Sequence, residues 1–205
     1  MEELRSLKAI QIDALREVAN IGAGHAATAL SQMIGETIMI SVPRINVSRL
    51  EEIRPQVGPP DEPVAAVLMH MMGDLTGRTL LVFPRRTAHR LASLLLHAKG
   101  RDDDFSDMEQ SAIKEAGNIL SSAYMNALSD FMGMMLIPSP PSLAVDMSSA
   151  VLTTAHLQFG TDKDFVFCVE SEFLMDNIDE HLRGYFLLLP DSASLHAILK
   201  AIRVA

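Results

Sequence analysis

Two long stretches of the chain carry a helical pattern of apolar and polar residues. Over residues 8–34 and 107–132, apolar side chains recur every three or four positions, which is the spacing of an amphipathic helix. Gly35 and Gly133 follow these stretches as stop signals, and Ser106 with Glu109 has the pattern of a capping box. The pattern therefore predicts two long helices, each ending at a glycine.

Shorter apolar runs predict strands and two further helices. The strand candidates are rich in aliphatic and β-branched residues and cover 36–47, 63–72, 79–83, 134–139, 150–159, 164–173 and 185–189. Helical spacing returns over 85–96 and 191–202, and the proline-rich segment 54–63 predicts a loop. Together these elements indicate an α/β fold with α+β character.

The chain also repeats its own pattern. With a shift of 98 residues, nine of the twenty-seven residues from Glu17 to Pro43 find an identical partner. Later, the segments ending at Pro84 and Pro190 match with an offset larger by eight, which a difference in loop length would explain. We therefore expect one domain over 1–205 made of two repeats, about 1–100 and 101–205, joined near 97–107. The two halves are expected to share a central β-sheet about a pseudo-two-fold axis, with a strand order that the sequence does not determine.

Both long helices present the same polar pair. At about 100° per residue, Glu17 and Asn20 fall on one narrow stripe opposite the apolar face, and Glu115 and Asn118 do the same in the second copy. A small residue follows each asparagine by one turn, Gly24 in the first copy and Ser122 in the second. One such pair could simply be the solvated face of a helix. Its persistence in both copies favours a function, although a recent duplication or a packing need would also preserve it.

The chemistry of this pair is better suited to orienting a water molecule than to covalent catalysis. An asparagine carbonyl can hold a water molecule while its amide group contacts a phosphoryl oxygen, and an ionised glutamate can pair with a lysine. Such groups fit a site that orients water for in-line attack on a phosphoryl group held by another protein. No nucleophile and base lie beside them in sequence, so self-contained catalysis is disfavoured.

Composition removes several other classes of function. The net charge of −9 and the lack of a basic cluster argue against nucleic-acid binding and favour basic partners. The acidic N-terminus and the absence of any apolar run of membrane-spanning length predict a cytoplasmic protein with no membrane partner.

Three further motifs are interpreted as structural. The run "NIGAGHA" contains Gly22 and Gly24 but lies inside a helical pattern, so its glycines are expected to permit close helix packing and not to bind phosphate. The seven histidines lack metal-ligand spacing, and "RDDDFSD" lacks the glycine and distal glutamate of a calcium loop. Cys168, the single cysteine, is expected to be a buried and inert thiol.

The repeated motif resembles a known family. Asp13-x-x-x-Glu17-x-x-Asn20 and the corresponding Ser111, Glu115 and Asn118 are each followed by Ala-Leu-Ser, a glycine and then a proline, Pro43 or Pro141. This pattern resembles the CheC, CheX and FliY family of chemotaxis phosphatases over essentially the whole chain. Two motif copies, modest length and no appended flagellar-switch domain resemble the CheC type most.

The resemblance implies a phosphatase that acts on phosphorylated CheY, the response regulator of chemotaxis. Glu17 and Glu115 would pair with a lysine of the regulator, and Asn20 and Asn118 would place the hydrolytic water. The resemblance also implies binding of the receptor deamidase CheD and no cofactor of the protein's own, with Mg²⁺ belonging to the regulator. A monomer is the simpler expectation, since two equivalent halves already lie in one chain. The alternative is an adaptor that sequesters CheD or CheY without significant turnover.

Overall fold

A computed structural model describes residues 9–98, 104–159, 165–175 and 178–204, which form six helices and eight strands. The helices are α1 (Ala9–Ile34), α2 (Leu50–Val57), α3 (Arg85–Leu95), α4 (Asp107–Met132), α5 (Ser148–Phe159) and α6 (Ser192–Val204). The strands are β1 (Ile38–Ile40), β2 (Arg44–Arg49), β3 (Pro63–Gly73), β4 (Gly77–Pro84), β5 (Leu136–Pro138), β6 (Ser142–Met147), β7 (Phe165–Met175) and β8 (Ile178–Pro190). Each half therefore runs from a long helix through two strands, a short helix and two more strands to a last helix.

The ends of the long helices follow the predicted signals. At the start of α4, the Ser106 hydroxyl accepts a hydrogen bond from the backbone N–H of Glu109, and the Glu109 carboxylate accepts one from the N–H of Ser106 at 2.9 Å. At the far ends, Gly133 has a φ of 62° and Gly35 a φ of 77°. Glycine adopts this left-handed conformation without steric cost, so both predicted stops are confirmed.

The two halves exchange strands in one sheet. The order is β1-β7-β8-β4-β3-β5, with β2 also paired to β7 and β6 to β3, and all of these pairings are antiparallel. The first half thus places β1 and β2 on β7 of the second half, and the second half places β5 and β6 on β3 of the first. Strands β4 and β8 pair at the centre, where Leu81 faces Phe186. This arrangement confirms the shared sheet and its two related halves.

Helices cover both faces of the sheet. Alternate residues of a strand point to opposite faces, so Val67 and Met69 of β3 are buried beneath α1, α3, α4 and α6, while Val64 and Ala66 are buried beneath α2 and α5. The larger apolar cluster lies on the side of the long helices. Among the residues that the structure describes, no helix has the length and apolar character needed to span a bilayer.

Two predicted elements on the α2 and α5 face are wrong. The strand predicted over 150–159 is part of helix α5. Val151, Leu152 and Ala155 are buried, and this spacing places them on one side of a helix. The loop predicted over 54–63 begins only at Gly58, because α2 continues through Pro55 and buries Val57.

Smaller differences concern strands and the repeat offset. The strand predicted over 36–47 is divided into β1 and β2, and β6 was not predicted. The offset of eight residues is only partly a loop effect, because α5 has 12 residues where α2 has 8. The remaining difference lies in the hairpin formed by β7 and β8, which is longer than that of β3 and β4. Of the predicted join at 97–107, residues 99–103 lie outside the described residues.

Candidate functional site

The two polar pairs face away from the core, as the helical pattern predicts. On α1, Glu17 and Asn20 are both exposed, and on α4 Glu115 is exposed while Asn118 is half-buried. Residues three apart on a helix are neighbours on its surface, so each glutamate and asparagine share one stripe. The structure keeps each pair together on its own helix.

Packing on the other side of α1 and α4 determines this orientation. Ala26 and Leu30 of α1, and Ile113, Ala116 and Leu120 of α4, have no exposed surface. Burial of these apolar side chains against the sheet is the favourable arrangement, and it turns the glutamates and asparagines outward. The predicted inward faces, which run from Leu15 to Met33 on α1 and from Ile113 to Phe131 on α4, are therefore confirmed for most residues. The exceptions are Ala29 and Phe131, which are half-buried, and Met33, which is 37% exposed.

Helix α1 approaches α4 closely at one glycine. A Cβ built on Gly22 would lie 2.6 Å from Cδ1 of Tyr124 and 3.1 Å from its Cα, whereas nothing lies within 4 Å of a Cβ on Gly24. The packing role predicted for the glycines is thus confirmed for Gly22 and wrong for Gly24. The open space at Gly24 instead lies one turn from the Asn20 amide, on the exposed face.

Tyr124 is a structural residue near the site, predicted on the inward face of α4, whose contacts the sequence did not reveal. Its hydroxyl forms a 2.7 Å hydrogen bond with Ser171 of β7, and its ring stacks on Phe186 of β8 with centroids 4.7 Å apart. Burial raises the pKa of Tyr124 to about 12, although the hydrogen bond with Ser171 opposes that rise. A single tyrosine thus joins α4 to the sheet and limits how closely α1 can approach.

The two long helices rest on the sheet differently. Beneath α1, an apolar cavity of about 50 Å³ is lined by residues that include Leu15, Val18, Ala19, Tyr124, Phe167 and Phe186. Beneath α4, by contrast, a Cβ on Gly117 would come within 2.7 Å of three side-chain atoms of Val67. Contact with the sheet is therefore close at Gly117 of α4, whereas a small apolar space remains beside Leu15 and Val18 of α1.

The four motif side chains are available to a partner. Within the described part of the chain, none of them makes a hydrogen bond or ion pair through its side chain. The nearby Asp13 carboxylate is 2.9 Å from Arg16, in an exposed pair of the kind that contributes little to stability. Glu17 and Asn20 can therefore engage an incoming surface without first breaking internal contacts.

Other chemistries find little support in the described residues. Cys168 is 2% exposed, and burial, reinforced by the charge of Glu170, raises the pKa of its thiol to about 12. The predicted burial of this thiol is confirmed, and the raised pKa favours its protonated form, which is the less nucleophilic one. Among the described residues, no group of three or more histidine, cysteine or acidic side chains is placed to hold a metal ion.

Comparisons with known proteins agree with this geometry. The sequence model of the CheC-like family matches residues 10–47 and 108–145, the two segments that carry the polar pairs. The CheY-P phosphatase CheC of Bacillus subtilis (strain 168) is 31% identical over 205 residues, covering 98% of each chain. The flagellar motor switch phosphatase FliY of the same organism is 28% identical over 144 residues, covering 68% of this chain and 36% of FliY. The crystal structure of Thermotoga maritima FliY has the same fold, with a TM-score of 0.76, 21% identity and coverage of 97% and 98% of the two chains.

Proposed function

Because this chain belongs to the CheC-like family, we propose that it is a protein phosphatase that accelerates hydrolysis of the aspartyl phosphate of CheY. The observation that carries the proposal is the presence of two solvent-facing pairs, Glu17 with Asn20 and Glu115 with Asn118, inside the two segments that match the family. Identity of 31% to a CheY-P phosphatase over 98% of both chains supports the same activity and the same phosphorylated partner.

In the proposed mechanism, each long helix completes an active site on CheY. The carbonyl of Asn20 or Asn118 accepts a hydrogen bond from a water molecule, and the amide group donates to a phosphoryl oxygen. The water oxygen attacks phosphorus as the bond from phosphorus to the aspartyl oxygen breaks, which gives inorganic phosphate, a free carboxylate and a proton released to solvent. The main contribution of the asparagine is to hold the water in line with the leaving oxygen.

The glutamates serve to dock the partner. Glu17 and Glu115 are exposed carboxylates without internal partners, so each can pair with a lysine of CheY beside the phosphorylated aspartate. Any Mg²⁺ at the reaction centre belongs to CheY, where it neutralises charge on the phosphoryl group. The protein itself needs to supply only the carboxylate and the amide.

The proposal extends to location and partners. A cytoplasmic monomer that also binds the receptor deamidase CheD follows from the family resemblance, and the net charge of −9 suits a partner with a basic surface. Binding of CheD would be separable from hydrolysis if it used a surface other than the two stripes.

Replacement of both asparagines tests the mechanism. The Asn20→Ala, Asn118→Ala double variant should lose accelerated release of phosphate from phosphorylated CheY, because a preorganised polar group contributes on the order of 10²-fold at each site. Each single variant should keep the activity of the other site. Asn126→Ala is the matched control, since it removes an exposed asparagine from α4 two turns beyond Asn118. Full activity in a folded double variant would refute the roles of these residues.

A further inference from the structure

One apolar side chain interrupts the polar face that carries the first active pair. Ile21 follows Asn20 directly and is 43% exposed. The other exposed positions of α1 between residues 13 and 28 are polar or small, namely Asp13, Arg16, Glu17, Asn20, Gly24, His25 and Thr28. Ile21 is thus the large apolar group on this part of the surface.

Local structure does not account for an isoleucine here. A β-branched side chain is a weaker helix former than alanine or glutamate, so an exposed helix position gains nothing from it. A single exposed apolar residue is ordinary on a protein surface. The second half, however, has Ile119 at the same place, while the next position changes from Gly22 to Leu120. Ile119 is half-buried and packs against the core, so the fold of α4 accounts for it. Ile21 is exposed instead, so any cause for an isoleucine at that position lies outside the fold of α1.

The position of Ile21 relative to the polar pair suggests that cause. Ile21 lies four residues after Glu17, so their side chains are neighbours one turn apart on the helix surface. Because Ile21 flanks the stripe on the side of Glu17, a partner that brings a lysine to Glu17 and a phosphoryl group to Asn20 can also cover the Ile21 side chain. Protein interfaces commonly place an apolar anchor at the centre of such a contact, with polar groups around it.

We propose that Ile21 is an apolar anchor for the phosphorylated CheY that docks on α1, and that it sets affinity while Asn20 sets the rate. This inference rests on the proposed function and adds to it a requirement that CheY present an apolar surface beside its phosphorylated aspartate. Ile119 on α4 is half-buried, so it offers a smaller area to a partner. The contribution of the anchor is therefore greater on α1 than on α4.

The test measures binding and turnover on α1 alone. In a background that carries Glu115→Ala and Asn118→Ala, the Kd is measured for CheY activated with beryllofluoride and Mg²⁺, a stable substitute for the aspartyl phosphate. Ile21→Ala should raise this Kd about tenfold, which corresponds to about 1.4 kcal/mol, and the loss should lie in Kd more than in the rate at saturating CheY. Ile21→Leu should restore most of the affinity, because it restores the apolar area.

The chain offers a matched control and a clear refutation. Met33 is 37% exposed on the same helix but lies about 160° around the axis from Glu17, so Met33→Ala should leave the Kd unchanged. An unchanged Kd for folded Ile21→Ala, in a background where Asn20→Ala still abolishes turnover, would overturn the anchor and leave the phosphatase intact. If Ile21→Ala weakens binding of CheD or self-association but not of CheY, the anchor belongs to another interface and the inference is wrong. A parent protein that neither binds nor dephosphorylates CheY would overturn both proposals together.

Discussion

The contact between Gly22 and Tyr124 gives a quantitative test of how α1 is held. In Gly22→Ala the new methyl group would lie 2.6 Å from Cδ1 of Tyr124 and 3.1 Å from its Cα. The ring cannot easily yield, because its hydroxyl bonds to Ser171 and its face stacks on Phe186. Since part of the contact is with backbone, relief requires α1 and α4 to separate.

Two opposing terms determine the magnitude. Replacing glycine by alanine within a helix gains about 1 kcal/mol. Overpacking a close contact costs about 1–3 kcal/mol, and the short approach to the Cα places Gly22→Ala toward the upper part of that range. We therefore expect the free energy of unfolding to fall by roughly 1–2 kcal/mol.

Gly24→Ala is the matched control, two residues further along the same helix. Nothing lies within 4 Å of a Cβ at Gly24, so only the gain in helix propensity remains. The free energy of unfolding should rise by about 0.5–1 kcal/mol. Urea denaturation followed by circular dichroism gives both values. The same sign for the two variants, with Gly22→Ala also stabilising, would refute the proposed packing of α1 against Tyr124.

Two further predictions concern pH. Burial raises the pKa of Tyr124 from 10.0 to about 12. The protonated tyrosine therefore stabilises the fold below pH 10, and this contribution to the free energy of unfolding, on the order of 3 kcal/mol, is lost as the pH rises toward 12. Tyr124→Phe removes the hydrogen bond with Ser171, so its free energy of unfolding should be lower by about 1 kcal/mol at neutral pH. Its urea midpoint should decline less at alkaline pH than that of the parent protein. For Asp191, burial disfavours ionisation, but hydrogen bonds from Thr76 and Ser194 prevail and lower its pKa. The Asp191 carboxylate accepts a hydrogen bond from the backbone N–H of Ser194 in the first turn of α6, so Asp191→Ala should lower the free energy of unfolding by about 1 kcal/mol at neutral pH. The difference between this variant and the parent protein should shrink as the pH falls through the lowered pKa of the carboxyl group.

The long helices could be predicted well because several independent signals coincide there. Apolar spacing, the capping box of Ser106 and Glu109, and the left-handed glycines at 35 and 133 all indicate the same ends. The same periodicity indicated which side of each helix is solvent-exposed, and therefore where the glutamates and asparagines point. This part of the candidate site depends on local chemistry, which a sequence displays directly.

The errors arose where local preference and tertiary packing disagree. β-Branched residues such as Val151, Thr153 and Thr154 favour a strand, but α5 forms because burying one helical side against α2 and the sheet outweighs that preference. Pro55 suggested a loop, although α2 tolerates it two residues before its end. The repeat already indicated an error, because the offset of 98 aligns the loop predicted over 54–63 with the strand predicted over 150–159. In the structure the same offset aligns α2 with α5.

Long-range features of the site could not be obtained from the sequence. The contact of Gly22 with Tyr124, the bond from Tyr124 to Ser171 and the cavity beneath α1 join residues far apart in the chain. The spacing of apolar residues along the chain does not show which residues of one half contact the other half. The exchange of strands between the halves, which creates these contacts, likewise became visible only in the sheet.

Loss of phosphate from phosphorylated CheY distinguishes a phosphatase that turns over from a protein that only binds CheY. Phosphorylated CheY in large excess is followed with a small amount of this protein and, in parallel, with the Asn20→Ala, Asn118→Ala variant. Each molecule of the parent protein is expected to release phosphate from many molecules of CheY, and the variant is expected to leave the spontaneous rate unchanged. Release limited to one or two equivalents per molecule, or an equal rate with the variant, would contradict it.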